Sequence, residues 1–219
     1  MTEAGELYTL GCAEQGQLGR VGERYIARGG HNRKGIDILL EPGRVVPKNR
    51  RTVFADVWAG SYDTVALTTD NEVLACGLNN YNQLGINKGM TFYSLVKSKG
   101  FSDALGGKAW KDISFGQHHA LGLDGTGKVH SIGRVEYGRL GLGDKETEGG
   151  INDAMVPTLV RKLADKKFQR YVTTAKKQNV DLDKLSEQEI KTEITITYTC
   201  TKNFILQFYV VSMVNIYNQ

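Results

Sequence analysis

Cysteine is scarce in this sequence, and its spacing excludes the usual covalent frameworks. There are three cysteines among 219 residues, Cys12, Cys76 and Cys200, and none forms a C-x-x-C pair. An odd number of widely separated cysteines argues against a disulfide framework and suits a reducing compartment. The four histidines and the cysteines do not cluster at the spacing of metal ligands. We therefore expect no metal site and no cofactor.

Long apolar runs and the common catalytic motifs are also lacking. The longest apolar stretch, residues 204–214, is interrupted by Gln207 and Ser212 and is shorter than the about 20 residues that a membrane-spanning helix needs. No serine lies in a G-x-S-x-G motif, and the glycines of residues 138–143 have the wrong order for a phosphate-binding loop. We expect no membrane partner, no small-molecule substrate and no covalent catalysis. The net charge of +4 permits an acidic partner without arguing for one.

Glycine is absent from the last third of the chain. All 26 glycines lie between Gly5 and Gly150, so two compositions are joined in one sequence. One fold should not be extended over both of them. The change of composition predicts a domain of residues 1–163 and a divergent tail of residues 164–219.

The tail itself has two segments of different character. Residues 164–192 are rich in Lys, Gln, Asp and Glu, which is typical of a solvated helix. Residues 194–217 alternate Thr with Ile and Tyr and then become apolar, which favours β structure. For this α/β-prone tail we favour a divergent exon or gene-model artefact over a real added element.

A glycine-rich segment occurs three times. The copies are residues 5–19 (GELYTLGCAEQGQLG), 71–85 (NEVLACGLNNYNQLG) and 127–141 (GKVHSIGRVEYGRLG). Each copy has a glycine at its seventh place and ends in Leu-Gly. The copies begin 66 and then 56 residues apart, which is the length of a propeller blade rather than of a helical repeat.

A second half-motif precedes the last two copies at a constant offset. Gly60 stands 17 residues before Gly77, and Gly116 stands 17 residues before Gly133. Apolar residues follow both glycines at matching places: Val65, Leu67 and Val73 in one copy, and Leu121, Leu123 and Val129 in the other. Two half-motifs held at one offset are hard to obtain by chance.

The residues between the half-motifs predict short antiparallel strands. Val65 and Leu67 alternate with other residues, as do Leu121 and Leu123, which is the period of a half-buried strand. Turn-forming residues follow both pairs, in 69–71 and 124–127. Because one such sheet cannot bury its own face, the units must stack radially, and we predict an all-β fold of β-propeller blades.

Two of the runs resemble a known family closely. Residues 7–21 (LYTLGCAEQGQLGRV) and 115–143 (FGQHHALGLDGTGKVHSIGRVEYGRLGLG) are similar to blades of the regulator of chromosome condensation family. The resemblance covers about residues 5–163. It implies a seven-bladed propeller and guanine-nucleotide exchange on the small GTPase Ran, performed on nucleosomes. The implied location is the nucleus, on chromatin, and also the cytoplasm.

The sequence departs from the family pattern at both ends of the resemblance. Blades before Gly5 are missing, including the one that carries the family's wedge against the GTPase, and the repeat stops after Leu163. We therefore expect an incomplete propeller, a fragment that performs little exchange by itself. The alternative is a non-catalytic propeller scaffold for protein–protein interaction, which the missing wedge favours.

The resemblance also implies a GTPase-binding set. His118 and His119 follow Gly116-Gln117, where the family places a histidine in a loop on its Ran-binding face. Asp63 occupies the place of His119 in the previous unit. The alternatives are a structural histidine that bonds a neighbouring blade and an aspartate that stabilises a turn.

Residues of the short insert between the conserved glycines are further candidates. They are Glu14, Gln15, Asn80, Tyr81, Glu136 and Tyr137, of which we assign Glu136 and Tyr137 to the GTPase-binding set. Loop residues on a rigid scaffold often carry binding, whereas the alternative is a solvated turn.

Two basic segments are candidates for chromatin contacts. In residues 41–52 the resemblance implies that Arg44, Lys48, Arg50 and Arg51 reach the histone acidic patch of the nucleosome. Arginine suits that partner because its planar fork binds a carboxylate with two hydrogen bonds. The alternative is a basic loop that only aids solubility. A second, weaker candidate for DNA phosphates consists of Arg28, Arg33 and Lys34.

Overall fold

A computed structural model describes residues 1–29, 38–87, 89–143 and 154–167. They belong to the first of two units into which the chain divides, Met1–Phe168. In this described part, no helix is long and apolar enough to cross a membrane. Arg33, Lys34, the side chain of Arg28 and the tail beyond residue 167 lie outside the described residues. The proposed boundary after residue 163 stays a prediction.

The described residues are dominated by short strands. The elements in chain order are β1 (Tyr8–Thr9), α1 (Glu23–Gly29), β2 (Gly43–Arg44), β3 (Phe54–Ala59), β4 (Asp63–Thr68), β5 (Val73–Leu78), β6 (Thr91–Lys97), α2 (Lys99–Ala104), β7 (Trp110–Phe115), β8 (His119–Asp124), β9 (Val129–Gly133) and β10 (Ala154–Leu159). Two single 3-10 turns, Glu136–Gly138 and Arg161–Leu163, complete the list.

The strands form two similar four-stranded antiparallel sheets. The first blade has the order β3-β4-β5-β6, and the second blade has the order β7-β8-β9-β10. A two-stranded sheet of β1 and β2 precedes them. The prediction of all-β blades is confirmed, although the described residues do not form a closed ring.

The repeat of the sequence is also a repeat of strand register. Asp63 pairs with Gly77 in the first blade, and His119 pairs with Gly133 at the same place in the second. Gly77 and Gly133 have φ angles of 117° and 108°, which favour glycine strongly. A Cβ atom on Gly133 would lie 2.5 Å from the carbonyl oxygen of His118. The seventh-place glycine therefore lets the start of the second strand approach the end of the third strand closely.

The largest core lies between the two blades, and we call this interface the seam. Its buried residues from the first blade include Trp58, Val65 and Leu67, and those from the second include Ile113 and Ile132. Burying each such side chain contributes about 1.5–3 kcal/mol. The seam is also pinned by the indole Nε1 of Trp58, which donates to Asp112 Oδ1 at 2.8 Å.

The first blade is covered on its other face as well. Leu7 and Val45 pack against Ala66 and Cys76 on the side away from the seam. Strand β4 is therefore buried at all six positions, and the prediction that it is half-buried is wrong. The Oγ1 atom of Thr64 satisfies its hydrogen bond by donating to the carbonyl of Gln17 at 2.7 Å. Strand β8 is buried at four of its six positions, and the partly exposed ones are His119 and Leu123, so the predicted alternation of buried and exposed residues is wrong here as well.

Candidate functional site

Loops from both blades meet at one end of the seam. In each blade, the loop from the first to the second strand and the loop from the third to the fourth strand leave the sheet at this end, which we call the loop end. We define the loop-end cluster as Tyr81, Gln83, His118, Arg134 and Glu136. Tyr81 and Gln83 follow β5, His118 precedes β8, and the other two follow β9.

Aromatic and cationic side chains interlock within the loop-end cluster. The rings of Tyr81 and His118 meet edge to face, with centroids 4.9 Å apart. The guanidinium of Arg134 lies 4.7 Å from the centroid of the Tyr81 ring and forms an ion pair with Glu136. A tyrosine of one blade is thus held between a histidine and an arginine of the next, an arrangement that contributes about 0.5–1.5 kcal/mol per contact.

Backbone hydrogen bonds fix the loops beneath these side chains. The amide of Arg134 donates to the carbonyl of His118 at 2.9 Å, and the amide of Gly116 donates to the carbonyl of His119 at 2.8 Å. The fully buried side chain of Gln83 accepts from the amide of Tyr81 at 3.0 Å and donates to the carbonyl of Gln117 at 3.4 Å. The loop end is therefore a prebuilt surface.

Both histidines are held neutral at physiological pH. Burial, followed by the charges of Arg134 and Arg139, lowers the pKa of His118. Burial and the charge of Arg139 lower the pKa of His119 to about 4. Within the described residues, His118 Nδ1 is buried without a hydrogen-bond partner. A neutral imidazole both donates and accepts a hydrogen bond, so it suits a polar contact better than a charge-based one.

Asp63 does not lie on the exposed surface of the loop end. Its side chain is in the seam with 1% exposure, and both carboxylate oxygens lack a partner among the described residues. Burial raises the pKa of Asp63 well above its usual range. A direct contact of Asp63 with a GTPase remains a prediction, and the burial does not favour it.

Glu136 and Tyr137 lie in the single 3-10 turn that follows β9. The Glu136 carboxylate is engaged by Arg134, while its carbonyl accepts from Arg139 Nε at 2.8 Å. Tyr137 is 89% exposed and has a φ of 61°, and its ring lies 5.4 Å from the Arg139 guanidinium. Their assignment to a GTPase surface stays a prediction, with Tyr137 the more accessible of the two.

The four predicted chromatin-binding residues lie at the opposite end of the first blade. All four, Arg44, Lys48, Arg50 and Arg51, are exposed in the segment that leads into the start of β3. Arg44 pairs with Glu6 at 2.9 Å. The amide of Arg51 donates to Asn49 Oδ1 at 3.1 Å, which closes a tight turn. In the described part of the chain, no three or more metal-ligating side chains come together.

The sequence repeat that forms these blades also occurs in known proteins. A family model described as the regulator of chromosome condensation (RCC1) repeat matches residues 54–83. The regulator of chromosome condensation of Mus musculus is 42% identical over 167 residues, which cover 74% of this chain and 38% of the relative. The chain belongs to the regulator of chromosome condensation family. The Drosophila melanogaster member is 39% identical over 169 residues, which cover 76% of this chain and 28% of that protein.

Parts of longer proteins with other names are also similar to this chain. The serine/threonine-protein kinase Nek9 of Xenopus laevis is 29% identical over 163 residues, 69% of this chain and 16% of that protein. The solved structure of Prp20p from Saccharomyces cerevisiae matches with a TM-score of 0.54 and 22% identity, over 70% of this chain and 34% of that one. That likeness shows the fold. The chain spans less than two-fifths of the length of the regulators it matches.

Three residues of this RCC1-repeat surface were not singled out by sequence reasoning. They are Gln83, Arg134 and Arg139, which respectively brace the loops, stack on Tyr81 and lower the histidine pKa values. The signal was present for two of them. Arg134 directly follows the seventh-place glycine, and Arg139 replaces the glutamine of the other two copies.

Proposed function

We propose that this chain forms part of a guanine-nucleotide exchange factor for the small GTPase Ran that acts on chromatin in the nucleus. The observation that carries the proposal is the 42% identity to the mouse regulator of chromosome condensation, which spans both blades of the loop end. The prebuilt cluster around His118 supplies a rigid polar surface for a protein partner.

Exchange requires no nucleophile and no acid in this protein. A partner surface that binds the nucleotide-free GTPase more tightly than the nucleotide-bound form loosens the nucleotide by that difference in affinity. In our proposal His118 makes a polar contact present only in the nucleotide-free complex. Burial and the charges of Arg134 and Arg139 keep its imidazole neutral by lowering its pKa, and the Tyr81 ring at 4.9 Å orients it, so little conformational entropy is lost on binding.

Chromatin binding is assigned to the basic segment at the opposite end of the first blade. Arg50 and Arg51 would bind carboxylates of the histone acidic patch, with Arg44 and Lys48 beside them and DNA phosphates nearby. Because the two surfaces lie at opposite ends of a blade, a GTPase and a nucleosome can be held together. The similar Prp20p has binding properties to Gsp1p and histones, which supports the choice of this pair of partners.

The exchange proposal is tested with a chimera in which residues 5–163 replace the matching blades of the mouse regulator. We expect the chimera to release a fluorescent guanine nucleotide from Ran. His118→Ala should slow release about tenfold to a hundredfold, because one polar contact of about 1–3 kcal/mol is lost. Lys128→Ala, at the far end of the same blade, is the matched control.

Each outcome of this experiment has one meaning. An inactive but folded chimera would refute the exchange proposal for these blades. An active chimera with an unaffected His118→Ala variant would keep the function and remove His118 from the contact. Slower nucleotide release with the Lys128→Ala variant would indicate that the GTPase binds at the end of the blade opposite the loop end, which contradicts the proposal.

Nucleosome binding is tested with Arg50→Glu combined with Arg51→Glu in the same chimera. Each lost charge-assisted contact is worth about 1.5–3 kcal/mol, so affinity should fall at least about tenfold without unfolding, since both side chains are exposed. Unchanged affinity would exclude this segment from the interface.

A non-catalytic scaffold is the second candidate function. The specific observation in its favour is that similar repeats occur in proteins with other names, such as Nek9 and, at 32% identity over 130 residues, the probable E3 ubiquitin-protein ligase HERC4 of Homo sapiens. Under this alternative the blades bind partners, and the chimera releases no nucleotide.

A further inference from the structure

A cleft of about 650 Å³ opens beside the basic segment at the end of the first blade. Two stretches of chain form its sides, residues 4–7 and residues 44–54. The volume lies within the range of sites that take a small molecule or a few side chains of a peptide. The predicted histone contact uses only the outer rim of this cleft and leaves its interior without a role.

The interior of the cleft is apolar. Its floor consists of the buried residues Leu7, Val45 and Phe54, with 2%, 1% and 4% exposure. Its walls include Val46 and Val53, which are 60% and 43% exposed. Exposed branched aliphatic side chains beside a concave surface are typical of a binding groove.

The rim of the cleft is cationic. Arg44, Arg50 and Arg51 line it, whereas the only acidic residue there is Glu6, which pairs with Arg44. Among the described residues, the guanidinium groups of Arg50 and Arg51 have no ion-pair or hydrogen-bond partner. Two guanidinium groups that have no partner among the described residues therefore belong to residues that line this cleft.

Both sides of the cleft are held in place before any ligand arrives. The amide of Phe54 donates to the carbonyl of Gly5 at 3.0 Å, and the amide of Val45 donates to the carbonyl of Leu7 at 2.8 Å. On the outer side, the amide of Thr52 donates to the carbonyl of Asn49 at 3.0 Å. Little conformational entropy is therefore lost from the site when a ligand binds.

We propose that this cleft binds a short acidic peptide segment that carries one large aliphatic side chain. The aliphatic side chain enters between Val46 and Val53, and the flanking carboxylates bind Arg50 and Arg51. The site is independent of nucleotide exchange. It shares its arginines with the proposed nucleosome contact, so the peptide and the nucleosome compete for it.

The same geometry argues for a peptide rather than for nucleic acid. Duplex DNA presents phosphates on a convex, polar surface that has no group to fill an apolar cleft. A carboxylate next to an aliphatic side chain matches both the cationic rim and the apolar walls. Charge attraction speeds the association of the peptide with the cleft, and burial of the aliphatic side chain determines which peptide is preferred.

The test measures fluorescence anisotropy of a labelled peptide, glutamates around one leucine, titrated with the full chain. A second peptide has serine in place of the leucine, and a third probe is a short DNA duplex. The leucine peptide should bind about tenfold or more tightly than the serine peptide, because the buried side chain contributes that much. Unlabelled nucleosome should displace it.

Two variants locate the site, and both change exposed residues. Val53→Ser should abolish the preference for leucine while it leaves the serine peptide unaffected. Arg50→Gln combined with Arg51→Gln should weaken both peptides about tenfold or more, whereas Lys108→Gln, an exposed cation outside the cleft, should weaken neither.

Three results would overturn the proposal. These are equal affinity for the leucine and serine peptides, tighter binding of the DNA duplex than of the leucine peptide, and an unchanged preference in Val53→Ser. Failure of the exchange proposal is a separate result, because peptide binding is measured without Ran, and the nucleosome is added only afterwards, as a competitor.

Discussion

The two blades have the same register but different surroundings. Each has an irregularity early in its first strand, between Phe54 and Asp56 in one and between Trp110 and Asp112 in the other. Each begins its second strand opposite a glycine with a large positive φ. Among the described residues, however, the second strand of the first blade is buried at all six positions, whereas that of the second blade keeps two partly exposed positions.

Equivalent residues therefore have different environments. Tyr81 and Tyr137 hold the same place in the repeat, yet Tyr81 packs against His118 of the next blade and Tyr137 is 89% exposed. Asp63 and His119 are also equivalent, and only Asp63 is buried in the seam. The repeat determines the blade, whereas the neighbouring blade determines which repeat positions become a site.

The largest expected effect concerns the feature that both blades share. Gly133→Ala should lower the free energy of unfolding by about 3 kcal/mol, because its Cβ would clash with the carbonyl of His118 at an unfavourable φ. Gly77→Ala should be similarly costly. Chemical denaturation of the full chain measures both.

A matched control distinguishes the effect of the seventh-place glycine from the effect of replacing any glycine. Gly125 lies in the β8–β9 turn, where an added Cβ atom would have no atom within 4 Å. Gly125→Ala should therefore change the free energy of unfolding by less than about 1 kcal/mol. Equal losses in Gly125→Ala and Gly133→Ala would mean that the shared register does not need the seventh-place glycine.

The next effect contrasts one carboxylate from each blade. The pKa of Asp63 is raised by burial, so its contribution is present below about pH 4 and is lost as the pH rises through the folded-state pKa. Asp63→Asn should therefore stabilise the protein at neutral pH, by about 2 kcal/mol, and flatten this pH dependence.

Asp124 should behave in the opposite way. Burial acts to raise its pKa, but hydrogen bonds from Thr126, Lys128 and His130 outweigh burial and lower it to about 2. Its contribution is present above about pH 4 and is lost as the pH falls toward 2, so Asp124→Asn should cost about 1 kcal/mol at pH 7. Denaturation curves from pH 3 to 8 compare the two; a destabilised Asp63→Asn at pH 7 would mean that the carboxylate has a partner.

The blades could be predicted from the sequence because each repeat glycine acts locally, through the backbone conformation that it allows. The positive φ at Gly77 and Gly133 and the strand pairs that flank them follow from the motif offsets. Burial at the seam also depends on partners far apart in the sequence, such as Trp58 and Asp112, which are 54 residues apart. Position in the repeat therefore could not distinguish buried Asp63 from the equivalent His119, or the packed Tyr81 from the exposed Tyr137.

The last comparison tests whether contact with the neighbouring blade is what builds the loop-end cluster. Tyr81→Ala should cost about 1–2 kcal/mol, because it removes an edge contact with His118 and a cation–π contact with Arg134. Tyr137→Ala at the equivalent place should cost less than about 0.5 kcal/mol. Thermal unfolding measures both, and equal losses would contradict the account of the two blades.

The division of labour between the two ends is tested most directly by hydrogen exchange of the chimera with and without nucleotide-free Ran. When nucleotide-free Ran is added, we expect slower amide exchange in residues 79–83, 116–119 and 134–139. The exchange of residues 44–54 should stay unchanged. The reason is that the loop-end cluster is the proposed contact, and the basic segment lies at the opposite end of the blade. Protection of residues 44–54, with the loop-end segments unchanged, would contradict the account.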